Sequence, residues 1–267
     1  VEVVLVDFSD WRGLVGGRTD DYAHLELVAV LDSSVHSWAS PFRAIASDGN
    51  DYFVKTLESC RREWARGSLA IEYVVSQVGG LIGAPVCGSA LIRIPEEFRG
   101  ERISRGVSLV PGIAHASRAL ERAEEHRDHL AYRSLDHNRI RHVGVYALYD
   151  WCYGDDPQWL YDVDADRTIY SHDHGLYLPP NHGVIDAAVL RQAVDEPNVL
   201  LDPPDGLDRR AVATVAAALE TVEREMLATV LRRVPASWPV SDEALATLGW
   251  FLEHRAPATA HRLRALT

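Results

Sequence analysis

A chain of 267 residues, 47% hydrophobic and 25% charged, can bury a sizeable core as one large or two ordinary domains, which excludes a disordered or fibrous protein. Its 39 acidic and 27 basic residues leave a formal net charge of -12, a field that repels phosphate backbones and anionic lipid, so neither nucleic acid nor a membrane is an expected partner. No apolar run reaches the ~20 residues of a membrane span, and residues 1–6 lack the basic, apolar and small-residue order of a signal peptide. Cys60, Cys87 and Cys152 are widely spaced without a C-x-x-C pair, so the expected location is cytoplasmic, with reduced and mostly buried thiols.

In chain order, short strands are expected at 2–6, 25–31, 43–46 and 52–57, separated by turn-formers such as Gly16-Gly17 and Asp48-Gly49-Asn50. They predict a small, mostly antiparallel sheet. A helix follows at 69–82, with Ser68 placed to cap it and Gly83 to end it. An apolar strand at 87–94 closes on Pro95. Beyond it, residues 118–136 are dense in charge and read as a solvated helix or loop. Helical periodicity then dominates at 138–153, at 209–233 through Val212, Val215, Leu219 and Val222, and at 242–254. The expected class is α+β, with a sheet lobe over 1–94 and a larger, mainly helical lobe over 95–267.

Candidate chemistry starts on the fourth strand, where period-two alternation puts Phe53, Lys55 and Leu57 on one face. An ammonium between apolar neighbours needs an anion, unless its stem reaches water from an edge strand. Glu72 shares one helix face with Val75, Gly79 and Ile82, which makes it a candidate partner; Glu63 is its competitor. Gly154-Asp155-Asp156-Pro157 is a turn, followed by two hairpin arms, Gln158-Trp159-Leu160-Tyr161 and Thr168-Ile169-Tyr170-Ser171. The second arm runs into His172-Asp173-His174-Gly175. There the chemistry divides. His172 and His174, with His182 nearby, could bind zinc or iron in a metal-dependent hydrolase. Alternatively Asp173 is a hard oxygen ligand for magnesium, with Gly175 letting the backbone turn after it.

Tyr52-Phe53-Val54-Lys55, Ile71-Glu72-Tyr73 with Leu81-Ile82-Gly83-Ala84-Pro85-Val86, and Ser171-His172-Asp173-His174-Gly175 together resemble the HipA-like kinases. The likeness covers most of 42–178, and 240–262 resembles that family's closing helix; residues 1–32 are not accounted for. The resemblance implies a two-lobed protein-kinase-like fold binding ATP and Mg2+. Lys55 would hold the α- and β-phosphates, Glu72 would pair with Lys55, and Asp173 would bind the metal beside Gln158. It also implies a nucleotide-binding strand that includes Phe53, a phosphate-covering loop at 37–41 with Ser37 and Ser40, and a hinge at 91–94 that brings Leu91 and Ile92 beside adenine. Two features depart from the family. Gln158 stands where relatives carry Asn before Trp-Leu, and the catalytic Asp-Arg pair is missing, with Tyr153 in the Asp position. Asp155 is then the first candidate for the residue that orients the acceptor, Asp156 the second and Asp150 the third. The implied function is a phosphotransferase acting on a Ser or Thr hydroxyl of a protein; the alternatives are a nucleotide-binding pseudokinase that serves as an interaction module for a regulatory partner, and the histidine-based hydrolase.

Overall fold

A computed structural model describes residues 8–31, 39–60, 62–104 and 106–267 of the chain. The sheet lobe holds β1 (Leu25–Val30), β2 (Phe42–Ala46), β3 (Asp51–Lys55), helix α1 (Ser68–Leu81), β4 (Ser89–Ile94), a small hairpin of β5 (Arg102–Ser104) and β6 (Val107–Ser108), and β7 (Gly112–Arg118). Five of these strands close into a barrel in the order β1-β2-β3-β7-β4, and the closing pair, β1 with β4, is parallel. Alternation fills it: Phe42, Ala44, Ala46, Tyr52, Val54, Ile92, Ala114 and Ala116 point inward and are buried. The alanines on β2 and β7 leave room for Phe42 and Tyr52.

Because β7 pairs with both β3 and β4, the barrel runs on to Arg118, well beyond the boundary expected at residue 94. The chain then enters a second sheet, β8 (Ala123–His126), β9 (Trp159–Asp162) and β10 (Thr168–Ser171), packed with helices α2 (Asn138–Trp151), α3 (Ala187–Ala193), α4 (Arg209–Glu220), α5 (Arg224–Arg232) and α6 (Asp242–Arg264). Part of the charged stretch at 118–136 is thus strand β8. The helix expected over 209–233 is two helices, interrupted at Thr221–Glu223, where the Thr221 N–H turns back to Ala217 and Ala218. The closing helix continues ten residues past His254, with Pro257 inside it. The strand expected at 2–6 lies outside the described residues.

Ser68 does not cap α1. Its hydroxyl donates to the Ala65 carbonyl, and the helix is entered directly from a 3-10 turn at Glu63–Gly67. Helix α1 is buried on nearly every side, which its run of Leu69, Ile71, Val74, Val75 and Val78 requires. Residues 8–20, which no family resemblance covered, form a strap on the helical lobe. The Trp11 ring is fully buried against α6, in a space that exists because position 249 is glycine: a Cβ there would lie 2.2 Å from the ring. Trp11 Nε1 donates to Glu253 Oε2 at 2.6 Å, and Arg18 pairs with Asp242 at 2.7 Å while donating to the Val240 carbonyl at 2.6 Å. Trp238, on the loop between α5 and α6, donates from Nε1 to the Ile113 carbonyl of the barrel at 2.9 Å.

Candidate functional site

Strand β3 ends at Lys55 because Thr56 and Ser59 exchange side-chain and backbone hydrogen bonds in a tight turn. The ammonium is therefore presented at the mouth of the barrel, facing α1. It does not reach bulk water: Lys55 is 7% exposed, and Nζ lies 2.7 Å from Glu72 Oε2 and 2.7 Å from Asp173 Oδ1. Glu63 is exposed to solvent.

Asp173 is held there by three attachments of its neighbours. The Ser171 N–H donates to the Pro85 carbonyl at 2.7 Å and Cys87 donates back to Ser171, so the segment after α1 pins the end of β10. His174 meets Ser171 Oγ at 2.8 Å and Ser76 Oγ of α1 at 3.4 Å. Gly175 packs on α1 so closely that a Cβ would lie 3.1 Å from Ser68 Cβ. The left-handed turn falls on Asp173 itself, at φ 54°, and Gly175 is needed for close approach rather than for its backbone angle. The histidine rings diverge, His174 buried beneath α1 and His172 facing Glu125 with Nε2 at 4.0 Å. Among the described residues no three His, Cys, Asp or Glu side chains gather to hold a metal, so the histidine-centred hydrolase loses its ligand set.

Between the lobes lies a cavity of about 400 Å³ whose walls include Lys55, Glu72, Asp173, Asp156, Gln158 and Arg127. Gln158 is buried and donates from Nε2 to Asp156 Oδ2 at 2.7 Å, which leaves its carbonyl oxygen as the end able to meet a cation. Asp155 is exposed and stands outside the wall. Asp150 is buried elsewhere, where it binds Arg262 at 2.6 Å and Arg255 at 3.1 Å and accepts from the Asn198 N–H at 3.0 Å; its work is to fasten α6. The loop at 37–41 contributes Ala39 to the wall; Ser40 is buried beside it, and Ser37 lies outside the described residues. Phe53 shares the Lys55 face of β3 but is not on the wall, Leu91 packs toward α1, and Ile92 is inside the barrel. The connection between lobes starts after Arg118, so 91–94 is barrel strand and not a linker. Neither Arg127, on the cavity wall, nor His115, buried on β7 directly opposite Lys55, stands out in the sequence. Charge density hid the first, and a stretch of small residues hid the second.

Burial drives the Lys55 pKa down, but the Asp173 and Glu72 carboxylates outweigh it and the net shift is up. Burial pushes Glu72 up to about 7, with Lys55 opposing. Asp173 is also raised by burial, yet Lys55 wins and holds it at about 2. Burial keeps His115 and His174 neutral, each depressed to about 3. At neutral pH the site is a fixed cation beside a fixed anion whose side chain is 36% exposed. Such a pair suits a polyanion bridged by a divalent cation.

No protein-family model matches the sequence, and no curated protein matches it. Among solved structures, the fold is similar to that of a Helicobacter pylori proinflammatory kinase, CtkA, with a TM-score of 0.57 and 11% identity over 93% of this chain and 99% of that chain. The architecture is therefore the two-lobed, kinase-like fold.

Proposed function

We propose that this protein is an ATP- and magnesium-dependent phosphotransferase of the HipA-like kinase type that acts on a Ser or Thr hydroxyl of a protein. The observation that carries the reading is Lys55 held between Glu72 and Asp173 at 2.7 Å each, on the wall of an interlobe cavity in a kinase-like fold. Lys55 would meet the phosphates, and Glu72 keeps its ammonium aimed. Asp173, with one oxygen on Lys55 and its side chain open to the cavity, and the carbonyl oxygen of Gln158 fit a magnesium ion's preference for hard oxygen donors. Bound magnesium supplies charge neutralisation across the phosphates. Asp156, on the wall where Asp155 is not, offers its carboxylate to the acceptor hydroxyl. No helix among the described residues is long and apolar enough to cross a membrane, and a cytoplasmic location belongs to the same proposal.

The test is transfer of labelled γ-phosphate to a Ser/Thr-rich protein acceptor by the wild type and by Asp156→Asn. Magnesium-dependent labelling that Asp156→Asn lowers at least tenfold supports the assignment; equal labelling by both removes Asp156 from it. A second reading, a pseudokinase, is favoured by one observation: Asp156 is already engaged by Gln158. Mg-ATP binding with no transfer to any acceptor would select it.

A further inference from the structure

The antiparallel register of β3 and β7 sets His115 opposite Lys55, and Ala114 and Ala116 on either side turn into the barrel, so the imidazole faces α1 with the ammonium. The ring is fully buried. Its Nε2 lies 3.0 Å from Ser89 Oγ; its Nδ1 has no hydrogen-bond partner and lies 3.8 Å from Glu72 Oε1, the oxygen that Lys55 does not use. A neutral imidazole has one donor and one acceptor nitrogen, a hydroxyl can satisfy either, and a carboxylate accepts only. An acceptor Nδ1 would oppose lone pair to lone pair with the ionised carboxylate, and could be satisfied only if Glu72 itself carried a proton. A donor Nδ1 would be drawn toward the carboxylate, and an approach of about 1 Å makes a charge-assisted bond.

We propose that His115, as the Nδ1–H tautomer with Ser89 donating to Nε2, is a positioning residue that fastens the free oxygen of Glu72 and so holds the other on Lys55. A carboxylate held at one oxygen can rotate away from the ammonium; held at both, it keeps Lys55 aimed at the cavity while β7 and α1 remain packed. The consequence for nucleotide binding rests on the phosphotransferase reading; the tautomer does not.

Two measurements test it. In nucleotide-free wild type, 15N spectroscopy of the labelled imidazole, assigned with a His115 variant, should place the proton on Nδ1. A proton on Nε2 overturns the proposal whatever the enzyme does, because Glu72 would then carry the bridging proton. Asparagine puts its amide nitrogen near the place of Nδ1, and glutamine near that of Nε2. His115→Asn should therefore keep the Mg-ATP dissociation constant within about threefold of wild type, while His115→Gln and His115→Leu raise it about tenfold, the loss of one charge-assisted bond. Rescue by Gln and not by Asn, or binding unchanged in all three, refutes the role. If wild type itself binds no Mg-ATP, the phosphotransferase reading fails, and the tautomer still decides the position of His115.

Discussion

Replacing Lys55 with methionine keeps most of the side-chain volume and removes the charge, so the loss it causes reports on the carboxylates it abandons. Lys55 and Glu72 have side chains 8% and 3% exposed, and breaking a buried pair by removing one partner typically costs about 3–5 kcal/mol. Asp173, 36% exposed, can recover water and adds little to that figure. Glu72 cannot, and relieves itself by taking up a proton. Its folded pKa, about 7, already lies above the ordinary carboxyl value of 4.5, so its contribution to stability is complete below the unfolded pKa and is lost as pH rises through the folded one. Without Lys55 the folded pKa rises further, and each additional unit costs ~1.4 kcal/mol on the alkaline side. Urea denaturation should therefore show Lys55→Met less stable than wild type by a gap that widens from pH 6 to pH 8. The double variant Lys55→Met, Glu72→Gln should recover most of the stability. A Lys55→Met protein as stable as wild type at pH 8, or no recovery in the double variant, would refute the reasoning.

Asp173→Asn should leave the fold intact and remove the magnesium dependence of ATP binding; calorimetric titration with and without the metal checks it. Burial holds the pKa values of His115, His172 and His174 at about 3, 4 and 3, below the ordinary imidazole value of 6.5, so the stability they contribute is present above pH 6.5 and is lost as pH falls toward those values. Unfolding midpoints should drop steeply from pH 6.5 to pH 4, and a flat profile would show that the rings are not held neutral. Trp11→Ala should cost about 3–5 kcal/mol in denaturant, the usual loss for truncating a buried aromatic, since the ring fills the recess over Gly249. A loss below about 1 kcal/mol would mean that the strap is not part of the core.

What could be read from the sequence is what periodicity encodes. Alternation along 51–57 and the spacing of Glu72, Val75, Gly79 and Ile82 pick the two faces that meet, and the hairpin predicted at 158–171 forms with Ser171 opposite Trp159. That Asp173 also pairs with Lys55 is not written in the sequence, where it reads only as a magnesium ligand; its position depends on Pro85, Ser76 and Gly175, through contacts with segments far apart in sequence. Strand β7 escaped because a strand buried on both faces in a narrow barrel is built from small residues, Ala114 and Ala116 among them, and its only large aliphatic is Ile113. With β7 hidden, the sequence pattern does not show that the barrel runs on to Arg118 or that 91–94 is barrel strand and not a linker. The interruption at Thr221–Glu223 contains no glycine or proline, so nothing in the apolar pattern announces that α4 ends and α5 begins. Asp150 looked like a catalytic candidate because the sequence does not show that Arg255 and Arg262, more than a hundred residues away, close over it.

The most direct test of the central claim is thermal unfolding of the wild type and of the Lys55→Met, Glu72→Gln variant with ATP, with and without magnesium. A nucleotide at 100 times its dissociation constant adds about 2.7 kcal/mol to the folded state. The wild type should show an upward, magnesium-dependent shift of the midpoint, and the variant should show none. No shift in the wild type, or an equal shift in both proteins, would contradict a nucleotide site built on Lys55.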